Sequence, residues 1–412
     1  METKKLLEQR KASTRFIMDE IKHICKTMGK RDPGSEGEKL ACEYMAEQMK
    51  GYGAEANIEP FKVYPASFMG WIYISMTCFI LAAVAAFFTS LVSIVLLVVG
   101  FIPMFLQFIF YTTALDPLYK EKTSHNVTAI KKCKGEVKAR VFFNGHPDAV
   151  WEWSTNYHCG GRVFIGQVMI DVIGTLYIFA TAIYKWVVLG GVGAGMPDMN
   201  NIVTLILPCV GLVFVPFFFI TYFLSDTKTI VDGANDNLTG CYMGIALLKA
   251  LKENNIELEH TEVGVIISGS EEAGLRGGKA WAKQHKGEYE DVPTIIVSYD
   301  TIHDPACLQI NTRDLNGLVP ADKEGSEMFL QACKDIDVPC GVGTVPFGAT
   351  DCAAFTQGGF RSVGVTGLAH TLERYYHTRL DSFDNLDEQG LENCYAATVA
   401  FLNAWDHKYS EE

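Results

Sequence analysis

Apolar residues in this chain are gathered into two long blocks. Residues 63–115 contain no Asp, Glu, Lys or Arg, and neither do residues 199–225. Between residues 163 and 201 only Asp171, Lys185 and Asp198 carry charge. A helix crossing the hydrocarbon core of a bilayer needs about 20 apolar residues. The blocks at 68–113 and 163–224 are each long enough for two such helices. They are expected to be transmembrane hairpins, with turns near Thr89-Ser90 and in the glycine-rich stretch 190–201. Buried helices of a soluble core are the alternative, and charge-free runs this long are rare in such folds.

Outside the blocks the periodicities are those of a soluble domain. Ile17, Ile21 and Ile24 share one face of a helix expected over 12–30. A second helix over 36–50 follows the turn Arg31-Asp-Pro-Gly-Ser35 and stops at Gly51-Tyr-Gly53. Strands are expected at 54–63, 125–130, 138–143, 261–267, 293–299 and 361–366. Helices are expected at 234–252, 276–285, 325–334 and 387–405. Strands alternating with helices imply an α/β domain: a mixed, mostly parallel sheet flanked by helices, interrupted by the two hairpins. The body of that domain is then made of residues 1–67, 114–162 and 225–412.

Net charge is −13 over 412 residues, which argues against nucleic acid as a partner. The few basic residues at the amino end are interleaved with acids, as on a solvated helix. Twelve cysteines show no paired spacing, and the charged opening METKKLLEQRKAST has no apolar signal core. Both point to a reducing compartment. Each hairpin returns the chain to the side it left. Lys62, Lys120, Lys122, Arg162 and Lys228 flank the blocks on the large side. The expectation is an integral membrane protein of about four spans with a cytoplasmic body. Asp171 lies inside a span and is expected to be solvated near the interface.

Candidate chemistry sits at strand ends and in adjacent loops. His146 follows a strand ending at Gly145, with Asp148 placed to accept its other ring N–H. Asp236 precedes a helix, Glu271 and Glu272 follow a strand, Asp300 ends another, and His377 lies in a polar loop. Alone, each has an ordinary reading: a polar loop histidine, an N-terminal helix cap, a solvated acidic turn. Together they occupy the carboxyl ends of strands, where α/β sheets bind ligands. Two histidines with several carboxylates suit two divalent ions that share a ligand, with one carboxylate left to act as base.

Five motifs carry a resemblance. They are GHPD at 145–148, GANDN at 233–237, SEEAG at 270–274, the strand ending at Asp300, and YHTRLD at 376–381. In this order they resemble the zinc aminopeptidase family that includes bacterial leucyl aminopeptidases, aminopeptidase Y, glutamate carboxypeptidase II and the glutaminyl cyclases. Residues 31–53 resemble that family's opening segment. The resemblance covers about 12–67, 123–150 and 229–405.

It implies a di-zinc exopeptidase fold of the phosphorylase/hydrolase-like kind, acting on peptides, with two divalent ions that are zinc in the first instance. By that resemblance Asp236 would bridge the ions. His146 and Asp300 would complete one site, and Glu272 and His377 the other. Glu271 would be the general base toward a shared water, and Asp148 would orient His146.

Three departures stand out. The hairpins lengthen two loops. Thr350-Asp351-Cys352 replaces the Ser-Asp-His of many members, a change assigned to the substrate pocket. Phe347 stands near the place of an oxyanion-stabilising tyrosine, for which His370 and Tyr376 are substitutes. His303-Asp304, Trp151 and Trp153 are further candidates for a pocket wall. The leading expectation is a membrane-anchored aminopeptidase or dipeptidase. Behind it stand a carboxypeptidase or glutaminyl cyclase on the same fold, a membrane scaffold without activity, and lastly a transporter. Oligomeric state is left open.

Overall fold

A computed structural model describes residues 3–191, 200–369 and 372–410. The chain divides into two compact units. The first comprises Met1–Pro65, Glu121–Trp151 and Lys228–Glu412, and the second Ala66–Lys120 and Glu152–Thr227.

The first unit is built on ten strands: β1 (Glu55–Val63), β2 (Lys122–Lys131), β3 (Ala139–Gly145), β4 (Thr261–Ile267), β5 (Thr294–Ile302), β6 (Gln309–Asn311), β7 (Arg313–Asp314), β8 (Val319–Pro320), β9 (Gly341–Gly343) and β10 (Ser362–Gly367). Eight form one sheet in the order β1-β2-β4-β3-β5-β10-β6-β9, and β7 pairs with β8. The centre, β4-β3-β5-β10, is parallel. β1, β2 and β6 add antiparallel pairings.

Successive residues of a strand point to opposite faces, and the central strands feed two cores accordingly. Val141, Phe143, Val265, Ile267, Ile295 and Val297 enter a large cluster with helices Arg10–Thr27, Glu36–Gly51, Thr239–Glu253, Lys323–Asp335 and Glu388–Ser410. Phe142, Ile266 and Ile296 enter a smaller one around Trp281 and Phe355, from helices Arg276–Gln284 and Asp351–Gln357. Covered on both faces, these strands read as continuous apolar runs. The mixed, mostly parallel sheet flanked by helices matches the architecture expected from the pattern.

One helix is shorter than its periodicity. The helix expected over 234–252 begins only at Thr239, because Asp236 (φ −114°, ψ 88°) and Asn237 (φ −144°, ψ 43°) leave helical geometry. Asn237 caps the helix instead: its Oδ1 accepts from Gly240 N at 3.0 Å, and its Nδ2 donates to Tyr299 O at 2.7 Å. Helices Thr3–Glu8, Ser154–Cys159 and Asp351–Gln357 and the short strands β6 to β9 were not expected. Their runs are too short to show a period.

In the second unit four helices are long and apolar enough to cross a membrane: Pro65–Phe88, Ser90–Ile109, Gly161–Val188 and Val203–Thr221. The first two turn at Thr89. The turn expected at 190–201 falls largely outside the described residues. Between 22% and 39% of each apolar window is buried, so side chains such as Val187 and Val213 face outward. The interior mixes large apolar side chains such as Phe79, Leu97 and Phe218 with small and polar groups. Ser75 Oγ donates to Gly100 O at 2.7 Å and Ser93 Oγ to Ala82 O at 2.8 Å. Asp171 corrects an expectation. It is buried, not solvated, and accepts hydrogen bonds from Gln167 Nε2 at 3.0 Å and from Thr221 Oγ1. A carboxylate placed among apolar side chains must find such donors.

Candidate metal centre

Three adjacent parallel strands deliver the first group of side chains. β3 ends at Gly145 and is followed by His146, β4 by the turn 268–272, and Asp300 lies near the end of β5. Gly145 is required by packing: a Cβ there would lie 2.3 Å from Cys241 N in the helix behind the strand. The turn before that helix brings in Asp236, and the loop after β10 brings in His377, which adopts a positive φ of 55°.

These residues meet. His146 Nε2 lies 3.3 Å from Asp236 Oδ1 and 3.7 Å from Glu271 Oε2. His377 Nε2 lies 2.9 Å from Asp236 Oδ2 and 3.5 Å from Glu272 Oε1. Two sets of potential ligand atoms result, His146/Asp236/Asp300 and Asp236/Glu272/His377, with the atoms of each set within 4.8 Å of one another. Asp236 belongs to both. His146 and Asp236 are 2% and 4% exposed, so water does little to screen the charges.

Electrostatics in the cluster is one-sided. Burial pushes the carboxyls of Glu271, Glu272 and Asp300 well above their usual range, and Asp236 adds to it for the latter two. Burial opposes charge on Asp236 too, but contacts with His146 and His377 hold its carboxyl well below the usual range. Burial disfavours the His146 imidazolium, and Glu271 and then Asp148 outweigh it and raise its pKa. His146 Nε2 and Glu272 Oε1 are buried yet make no hydrogen bond. Four crowded carboxylates with unsatisfied nitrogen and oxygen donors fit divalent cations, which would supply the missing positive charge.

Further residues hold the ligands in place. Asp148 Oδ1 lies 3.4 Å from His146 Nδ1, and its two oxygens accept from Glu271 N and Glu272 N, each at 3.0 Å. Two more groups were missed as individual residues. Asp381 accepts from Asn235 N at 2.7 Å and Asp236 N at 3.1 Å; burial and then Asp236 push its carboxyl up to about 7. Arg31 is buried and donates to Pro147 O at 2.7 Å and Gly233 O at 3.3 Å, tying the His146 loop to the Asp236 turn. Both lie in segments that carried the family resemblance, which was the available signal.

The remaining candidates are placed differently. His303 stacks on Tyr375 with centroids 4.4 Å apart, and with Asp304, Arg374 and Arg379 it lines a cavity that includes none of the proposed metal ligands. Phe347 is 78% exposed, while the Tyr376 ring stacks on His377 at 4.0 Å. His370 lies outside the described residues. Cys352 is buried with its Sγ 3.3 Å from Ser362 Oγ, and Asp351 accepts from Ser268 Oγ. Trp151 bridges to Ile230, and Trp153 stacks on Phe164 at 4.6 Å.

Residues 225–402 match the model of peptidase family M28. The matched segment is similar to that family. It contains Asp236, Glu271, Glu272, Asp300 and His377, and His146 reaches the cluster from the strand before it. No curated protein matches the chain significantly.

Among solved structures, a zinc aminopeptidase from Bacillus subtilis is 14% identical over 94% of each chain, with TM-score 0.56. An aminopeptidase from Aneurinibacillus sp. strain AM-1 is 14% identical over 97% of this chain and 93% of its own, with TM-score 0.54. Glutaminyl cyclase from Bacteroides thetaiotaomicron is 11% identical over 96% of each chain, with TM-score 0.51. At these identities the likeness establishes a common fold.

Proposed function

We propose that this chain is a membrane-anchored, metal-dependent exopeptidase, an aminopeptidase or dipeptidase that hydrolyses peptides at their amino end. One observation carries the reading: two ligand sets that share the buried Asp236. His146, Asp236 and Asp300 would hold one divalent ion, and Asp236, Glu272 and His377 the other. Mixed nitrogen and oxygen donors suit zinc first. Two such ions would make a shared water acidic and draw electron density from a scissile carbonyl.

The chain's own groups do the rest. Glu271 Oε2 faces the space beside His146 Nε2 and takes the proton from water there. It then returns the proton to the departing amine nitrogen. Burial raises its pKa, His146 lowers it and Glu272 raises it again; two bound cations beside it would favour the ionised form that a general base needs. Asp148 orients His146 through Nδ1 and holds Glu271 and Glu272 through their backbone N–H groups. The four apolar helices, with many large apolar side chains exposed, support anchoring in a bilayer. The basic flanks support a cytoplasmic body.

A second reading is favoured by the structural likeness to glutaminyl cyclases: cyclisation of an amino-terminal glutamine with loss of ammonia. The test is a panel of amino-acid amides, short peptides and glutamine-terminated peptides, assayed on detergent-solubilised protein with and without chelator, beside Glu271→Gln. Release of amino-terminal residues that chelator abolishes, reduced about 10²- to 10⁴-fold in Glu271→Gln with metal content kept, supports the exopeptidase. Ammonia release from glutamine-terminated peptides alone supports the cyclase. Full activity in Glu271→Gln refutes the assigned base.

A further inference from the structure

The turn carrying Glu271 and Glu272 has only the single 3-10 turn Glu271–Ala273 as regular structure, yet each backbone N–H from Ser268 to Glu272 is occupied. Ser268 N donates to Gly145 O at 3.1 Å, and Gly269 N to Asn126 Oδ1 at 3.0 Å. Ser270 N donates to Glu38 Oε1 at 2.6 Å, and the next two N–H groups go to Asp148. Ser270 itself sits at φ 55°, the left-handed region that a residue with a Cβ enters only at a cost. Its Oγ donates to the same Glu38 oxygen at 2.8 Å. The turn is also tight. A Cβ on Gly269 would meet His125 O at 2.4 Å and Ser124 Oγ at 2.6 Å.

Glu38 comes from elsewhere in the chain. It is the third residue of the helix Glu36–Gly51, which Ser35 caps by accepting from Glu38 N at 3.2 Å. A glutamate at this place ordinarily turns back to bond the N–H of the capping residue. Here one oxygen accepts from Gly34 N at 2.9 Å, and the other crosses to Ser270, 232 residues further along the chain. The side chain is completely buried. A local capping bond needs no such burial. Removing a carboxylate from water is costly unless donors replace the water, and apart from Gly34 N the donors here belong to the turn that presents the proposed base and one proposed ligand.

We infer that Glu38 is a positioning residue for the metal centre: by holding Ser270 it fixes the backbone from which Glu271 and Glu272 project. The inference rests on the metal-dependent reading above. Groups that orient metal ligands typically contribute about 10- to 100-fold to metal affinity or turnover. Glu38 acts on Glu272, which serves only one ion, so its loss weakens one zinc equivalent and leaves the other.

The experiment titrates zinc, in competition with a chromophoric chelator, into full-length, detergent-solubilised, metal-stripped protein. Glu38→Gln, Glu38→Ala and Ser270→Ala are compared with wild type, alongside urea unfolding in excess chelator and kcat and KM on the most active peptide. Glu38→Gln keeps the volume but presents an NH2 to one of the donors. The expected result is one zinc equivalent bound roughly 10- to 100-fold more weakly, with kcat reduced and KM held. Ser270→Ala, which removes a single bond, shows a smaller loss in the same equivalent.

Glu38→Gln with two wild-type affinities and a wild-type kcat overturns the inference alone. So does an equal loss of both equivalents with a lowered urea midpoint in chelator, the signature of a general packing role. Should Glu38→Ala fail to fold, Glu38→Gln and Ser270→Ala decide. Wild-type protein that binds no zinc overturns the metal-dependent reading and this inference with it.

Discussion

Replacing Asp148 by Asn should damage both the fold and the metal centre, by amounts the geometry allows one to estimate. Asp148 is fully buried, and its two oxygens each accept one backbone N–H, from Glu271 and from Glu272, at 3.0 Å. Asparagine keeps one oxygen, so one of these bonds survives in neutral form. The difference between a hydrogen bond to a charged and to a neutral acceptor is about 1 kcal/mol. Its NH2 group then faces the other N–H, and a buried donor left without a partner costs about 1–3 kcal/mol. The sum is a loss of about 2–4 kcal/mol in stability. His146 Nδ1 keeps the Asp148 backbone oxygen at 3.3 Å but loses the carboxylate charge 3.4 Å away, which should weaken metal binding by about 10-fold, the low end of the range for such groups. Urea unfolding of the metal-stripped protein followed by tryptophan fluorescence measures the first quantity, and competitive zinc titration the second. Asp148→Ala, which orphans both N–H groups, should be worse in the first assay. Should Asp148→Asn leave the urea midpoint and both zinc affinities unchanged, the 271–272 turn is not held as described.

His377→Ala removes a ligand from only one of the two sets, so metal analysis should find one of two divalent equivalents lost. Retention of both at full affinity would show the assignment to be wrong. His285 packs its Nε2 3.1 Å from Glu59. Burial lowers its pKa, but Glu59 and Glu288 raise it above the ordinary 6.5. A raised folded pKa stabilises fully below the unfolded value and fades as pH climbs through the folded one. His285→Gln should therefore cost more stability at about pH 6 than at about pH 9; equal losses in urea at both would contradict the sign. If the apolar helices cross a bilayer, membranes washed with alkaline carbonate should retain the chain in the pellet, whereas release into the supernatant would rule out spanning.

Much of this protein was legible along the chain because the forces that shape it there act over short distances. Burial of apolar side chains imposes a local period, so β4 (Thr261–Ile267) coincides with the strand expected at 261–267. The four long helices follow from long apolar runs with few or no charges. The strand-end acids and histidines were visible as residue types in a telling order.

Three-dimensional packing decided what no local rule contains. Asp171 looked solvated until Gln167 and Thr221 closed around it. The helix expected from residue 234 begins at Thr239 because Asn237 spends its amide on Tyr299 O, 62 residues away. Asp148 reaches its N–H partners across 123 and 124 residues, and Glu38 reaches Ser270 across 232. A buried carboxylate accepts any donor that the fold brings within about 3 Å, whatever its place in the chain. Sequence alone therefore pointed to the residues of the proposed centre, while its supporting bonds became determinate only once the sheet had set its strand ends side by side.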